Sequence, residues 1–171
     1  MVAEVTERGL VRRLECAGGW SAALMECPDG VASLSNGRDV VQLFVSEMPD
    51  RQSDRPSSFI AAACLPEGEV LVLAREAPPA LLVTPHGHAR VPANAQREEL
   101  VRIAPGEFLL LLSAAVFEDM PASLATLLHD PHPQLLGLDP GAFLATLLDS
   151  TGAGAGAVLT RPDPDTIGEP A

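Results

Sequence analysis

The chain has 171 residues, 47% of them hydrophobic, enough to bury one core of ordinary domain size without disulfide or metal staples. The formal net charge is -12 and all 11 positive charges are Arg, so nucleic acid is disfavoured as a partner. Apolar runs such as Phe108–Leu112 are far too short to cross a bilayer as helices, and the N-terminal residues, with Glu4 and Glu7, do not read as a secretory signal; no membrane contact and a cytoplasmic location are expected.

In chain order, Leu10–Glu15, Trp20–Cys27 and Val31–Ser35 are short apolar or alternating runs that predict strands. Pro28-Asp29-Gly30 separates the last two. Proline presets φ and glycine accepts a positive one, so Trp20–Ser35 is expected to be a hairpin. Asp39–Met48 fits a short helix capped by Asp39, with Val40, Leu43, Phe44 and Met48 near helical spacing; its β-branched residues fit a strand equally well. Pro49–Ser58 is polar and reads as a loop.

Ser58–Leu65 and Glu69–Arg75 flank Pro66-Glu67-Gly68, a second hairpin by the same logic. Ala80–Thr84 and His88–Val91 flank Pro85-His86-Gly87, and Glu99–Ile103 and Glu107–Ser113 flank Ala104-Pro105-Gly106. Repeated in this way, the units predict an antiparallel meander. Two helices are expected next. Pro121–His129 carries Leu124, Leu127 and Leu128 on one side; Pro140–Asp149 is capped by Asp139, with Phe143, Leu144, Leu147 and Leu148 as its apolar face. Gly152–Gly156 reads as the end of that helix and Ala157–Thr160 as a last strand. Residues 1–161 form one expected domain, and 162–171 an acidic, proline-rich tail expected to be loose.

Few residues suggest chemistry by type and spacing. Cys16, Cys27 and Cys64 have no close partner in sequence and read as small buried apolar side chains. Trp20 reads as core. His86 and His88 flank a turn glycine, His129 and His132 sit in a proline-rich stretch, and Glu118 and Asp119 read as a solvated helix start. There is no Gly-x-Ser-x-Gly elbow and no phosphate-binding loop.

The order of the segments over roughly residues 14–161 resembles a PPM-type phosphatase of the SpoIIE/RsbU class. The resemblance is carried by Gly18-Gly19-Trp20, by Asn36-Gly37-Arg38-Asp39-Val40, by Leu71–Arg75 with Ala77-Pro78-Pro79 and Ala80–Val83, and by Pro105-Gly106-Glu107 before Phe108–Leu112 and Ser113-Ala114-Ala115. It implies an α+β fold: a PPM-like antiparallel β-sandwich with a C-terminal helix pair, the other flanking pair reduced or missing. It also implies where the family's metal-binding carboxylates fall. The first is missing between Gly19 and Trp20, the second survives at most as Asp39, the third falls on Ala114, and the terminal pair falls on Gly154 and Ala155. One carboxylate cannot offset the repulsion of two divalent cations, so no catalytic residue, no metal beyond the remnant Asp39 and no cofactor are expected. The resulting expectation is a catalytically inactive regulatory or scaffold module that binds protein, in a partner-switching setting. The alternatives are an active metal-dependent phosphatase with a rearranged site and an oligomerising structural protein. With one helix pair short, an apolar sheet face is expected to need cover from a second copy or another protein, through Ala22, Leu24 and Met25.

Overall fold

A computed structural model describes residues 2–5, 10–15, 20–27, 30–36, 41–47, 59–65, 68–84, 87–93, 97–118, 140–151 and 154–161. Its strands are β1 (Val2–Val5), β2 (Leu10–Glu15), β3 (Ser21–Glu26), β4 (Gly30–Asn36), β5 (Val41–Glu47), β6 (Phe59–Cys64), β7 (Glu69–Arg75), β8 (Ala80–Thr84), β9 (Gly87–Val91), β10 (Glu98–Arg102), β11 (Phe108–Leu112) and β12 (Ala155–Thr160). Among the described residues, two helices lie between β11 and β12: α1 (Ala114–Glu118) and α2 (Pro140–Thr151). The expected helix at Pro121–His129, the loop at 49–58 and the tail at 162–171 fall largely or wholly outside the described residues.

The strands form two antiparallel sheets, one of seven strands in the order β1-β2-β3-β12-β11-β8-β9 and one of five in the order β10-β7-β6-β5-β4. The apolar pattern of each strand explains its sheet. All five residues of Phe108–Leu112 are buried, as a strand covered on both faces requires. Leu109 and Leu111 point between the sheets; Leu110 and Leu112 point outward, beneath α1 and α2. Strand β3 is buried at both parities for the same reason, with Ala22 and Leu24 inward and Ala23 and Met25 outward. By contrast β6, β7 and β10 alternate, as strands with one drier and one wetter face do.

Helix α2 covers β12, β3 and β2 with Phe143, Leu144 and Leu148. Phe143 meets Phe108 at a centroid distance of 6.1 Å. Glycine decides how closely this layer packs: a β-carbon on Gly156 would meet Leu144 Cδ1 at 2.7 Å and Leu112 Cδ2 at 3.1 Å. The glycine run therefore serves the strand as well as the end of the helix, and the last strand begins at Ala155, two residues before the expected start.

Asp39–Met48, which fits helix or strand as a sequence, forms strand β5 over Val41–Glu47. It pairs with β4 on one side and β6 on the other. The hairpins β6–β7 and β8–β9 stand as expected. The hairpin over Trp20–Ser35 does not. Strand β3 pairs with β2 and β12, whereas β4 belongs to the other sheet. Likewise Ala104-Pro105-Gly106 carries the chain from β10 in the five-stranded sheet to β11 in the seven-stranded one. The simple meander is thus corrected to a sandwich in which two of the four Pro/Gly turns cross between sheets. A tight turn reverses the chain whether or not the flanking strands hydrogen-bond, and the two-sided apolar strands are drawn to the sheet that has a helix layer.

Candidate functional site

At one end of the sandwich, strands from both sheets meet through small residues. Leu112 pairs with Gly156 and Glu26 with Ala155, so Ser113, Gly154 and Cys27 lie side by side where β11, β12 and β3 end or begin. The Ser113 amide donates to the Ala155 carbonyl at 3.0 Å, and the Ala155 amide donates to Ser113 Oγ at 3.0 Å. The Cys27 amide donates to the Gly154 carbonyl at 2.8 Å, and the Gly30 amide to the Cys27 carbonyl at 3.0 Å, closing the turn that carries the chain to the second sheet.

The backbones touch here. A β-carbon on Gly30 would collide with the Gly154 carbonyl group and lie 2.6 Å from the Ala155 nitrogen. Gly154 has φ +87° and a β-carbon there would strike Ser113 Oγ and come within 2.8 Å of Val116 Cγ2. Only glycine satisfies both the left-handed backbone and the space.

An acid at this end is already engaged. Glu26 Oε1 accepts the Ala32 amide at 2.9 Å and is bridged by Arg12 Nη2 at 3.1 Å, and Arg12 Nη2 also donates to the Ala32 carbonyl. Ala32 lies on β4, the edge strand of the five-stranded sheet, so this ion pair caps its outward backbone groups and ties the sheets together. Gly30 pairs with Glu47 at the end of β5, which puts a second acid position in the register of this end. Asp39 lies outside the described residues; the strand ends it connects, Asn36 and Val41, pair at the opposite end of the β4–β5 hairpin from Gly30 and Glu47.

The three expected interaction residues are interior, which corrects that reading. Ala22 and Leu24 are 5% and 1% exposed in the core between the sheets, and Met25 is 0% exposed in the core beneath the helices. The reason is topological: β3 is an inner strand, flanked by β2 and β12. Leu71, Leu73 and Leu100, on the other sheet, are exposed large apolar side chains among the described residues. Trp20 is core, and Cys27 and Cys64 are buried without a disulfide, as expected. Glu118 is exposed and is the last described residue of α1. Cys16, His86, Asp119, His129 and His132 lie outside the described residues.

Solved structures share this fold. The phosphatase domain of SpoIIE from Bacillus subtilis superposes with a TM-score of 0.55 at 11% identity, over 94% of this chain and 95% of that one. The RsbU and RsbW domains of a Mycobacterium tuberculosis protein give 0.59 at 11% identity, over 90% of this chain and 65% of that one. A longer SpoIIE fragment, comprising its PP2C phosphatase domain and part of its regulatory domain, gives 0.55 at 12% identity. The chain has the PP2C phosphatase fold. No family model matches the sequence, and no curated protein does.

Within the PP2C fold, the resemblance in sequence assigns metal-binding carboxylates to positions that fall here on Ala114, Gly154 and Ala155. The structure does bring these positions together, at the closed end just described. The residues found there do not fit a dinuclear metal centre. Two hard cations need several oxygen ligands around a space that also admits water. Instead Gly154 and Ala155 are joined by hydrogen bonds to Cys27 and Ser113, and the place of a side chain at Gly154 is taken by Ser113 and Val116. Among the described residues no group of three or more His, Cys, Asp or Glu side chains could hold a metal ion.

Proposed function

We propose that this chain is a PP2C-fold module without hydrolytic activity that acts by binding protein, as a regulator or scaffold. The observation that supports this reading is the contact of Gly30 with Gly154, sealed by Ser113: the positions to which the resemblance assigns the third and terminal carboxylates are filled by backbone. Partner-switching regulation in the cytoplasm is the setting we assign to it, because SpoIIE and RsbU domains are among the structures it resembles. Among the described residues no helix is long and apolar enough to cross a membrane, which is in keeping with that setting and says nothing of strands that cross one.

The test joins binding and turnover. Calorimetry with Mg²⁺ and Mn²⁺ is expected to show no stoichiometric site, and hydrolysis of p-nitrophenyl phosphate and of phosphopeptides to match background with either metal. Metal-dependent hydrolysis lost in Glu47→Ala or in Asp39→Ala would overturn the proposal and establish an enzyme with a rearranged site.

A further inference from the structure

The outer face of the five-stranded sheet carries an apolar field with charged ends. In register across it stand Gln42, Ala63, Leu71 and Leu100 in one row, then Phe44, Ala61, Leu73 and Glu98 in the next. Phe44 stacks on Phe59 at 5.3 Å. Leu71 and Leu73 are each 37% exposed and Leu100 is 53% exposed.

Strand β7 runs through this field, and its outward residues read Glu69, Leu71, Leu73, Arg75. That order is self-complementary. Turned by 180° and laid antiparallel on itself, the strand sets Glu69 against Arg75, Leu71 against Leu73, Leu73 against Leu71 and Arg75 against Glu69. A twofold interface requires this reciprocity, in which residue i meets j and j meets i. Aligned face-to-face sheets cross at about 30°, and at the strand ends long Glu and Arg side chains can reach across the resulting divergence. Charge selects the same face. A chain of net charge -12 repels its own copies, yet on this face the two acids Glu69 and Glu98 are balanced in number by Arg75 and Arg102, Arg102 lying beside Glu69 in the same sheet. Five strands at about 4.8 Å and seven residues at about 3.4 Å give a face of about 570 Å² at most. Two such faces bury at most about 1,100 Å², near the threshold for a specific but weak interface.

We propose that this face is a homodimer interface, with β7 packed antiparallel on the β7 of a second copy. The proposal deepens the reading of the chain as a protein-binding module by naming the partner. Sedimentation velocity on the full chain from about 1 to 200 µM, the range suited to an interface of this size, is expected to show a reversible dimer. Leu73→Glu should abolish it. Arg75→Glu, which sets Glu against Glu twice per dimer, should raise the dissociation constant about tenfold. The swap Glu69→Arg with Arg75→Glu should restore it to near the wild-type value. Within one copy Glu69 and Arg75 sit at opposite ends of a strand, so the rescue cannot come from a contact between them in the same copy. A monomer at every concentration overturns the proposal and leaves a different protein as the occupant of the face. A dimer indifferent to Arg75→Glu, or one that the swap fails to restore, overturns the antiparallel β7 arrangement. Metal-dependent turnover in the same samples would overturn the inactive reading and leave the dimer standing.

Discussion

Gly30→Ala tests the closed end of the sandwich directly. Gly30 does not have a positive φ, so its backbone would accept alanine; the cost is steric. The added methyl meets the Gly154 carbonyl group and the Ala155 nitrogen, all backbone atoms. They cannot retreat cheaply, because the Gly154 carbonyl accepts from Cys27 at 2.8 Å and Ala155 exchanges two hydrogen bonds with Ser113. Overpacking against soft side chains costs about 1–3 kcal/mol; against pinned backbone the upper end, about 3 kcal/mol or more, is expected. At about 2–4 °C per kcal/mol for a domain of this length, the melting temperature should fall by about 6–12 °C. Gly106→Ala is the control. Its β-carbon meets nothing within 4 Å, but its φ is +87°, so it should cost about 1 kcal/mol through the backbone alone. Differential scanning calorimetry of the two variants decides. If Gly30→Ala melts within about 2 °C of wild type, or above Gly106→Ala, the backbone contact is wrong and the end of the sandwich is open.

Ser113→Ala should cost about 1–3 kcal/mol by urea denaturation, because the buried Ala155 amide loses its acceptor. Leu110→Ala and Leu111→Ala should each cost about 2–5 kcal/mol, one by opening the layer beneath the helices and the other the layer between the sheets; an unchanged melting temperature for either would refute the central position of β11. Arg12→Ala should cost only about 1 kcal/mol, since its side chain is 30% exposed and that of Glu26 is 41% exposed, and raising the salt concentration should shrink the difference from wild type.

Strands were legible because alternation and two-sided apolar runs are local properties. Sheet membership was legible too, in a signal the turns obscured. Ser21–Glu26 is apolar at both parities, whereas Gly30–Asn36 alternates between Ala32 or Leu34 and Ser33 or Ser35. Two strands so different demand different cover and do not belong in one sheet. Pro28-Asp29-Gly30 suggested a hairpin because the same residues make a tight reversal in either case. The grouping of Ala114, Gly154 and Ala155 followed from the order of motifs, but the same motifs set the Trp20 and Asp39 positions with them, and the strand register puts Trp20 and the strand ends flanking Asp39 at the other end. What could not be read was that Gly30 seals the group, since that depends on an approach between strands of different sheets. The interaction residues failed for a related reason: parity says that both faces of β3 are apolar, and only the sheet order says that both are covered.

The seven-stranded sheet is completed from far along the chain. Strand β12 is the inner neighbour of both β3 and β11, and Thr160 Oγ1 reaches the Ser21 carbonyl across 139 positions of sequence. Until residues 155–160 are in place, β3 and β11 each present an open, apolar edge, and the local hairpins cannot substitute for the missing partner. The fold therefore has high contact order, and chains that stop before Ala155 are expected to expose two sticky edges instead of one slightly weakened domain.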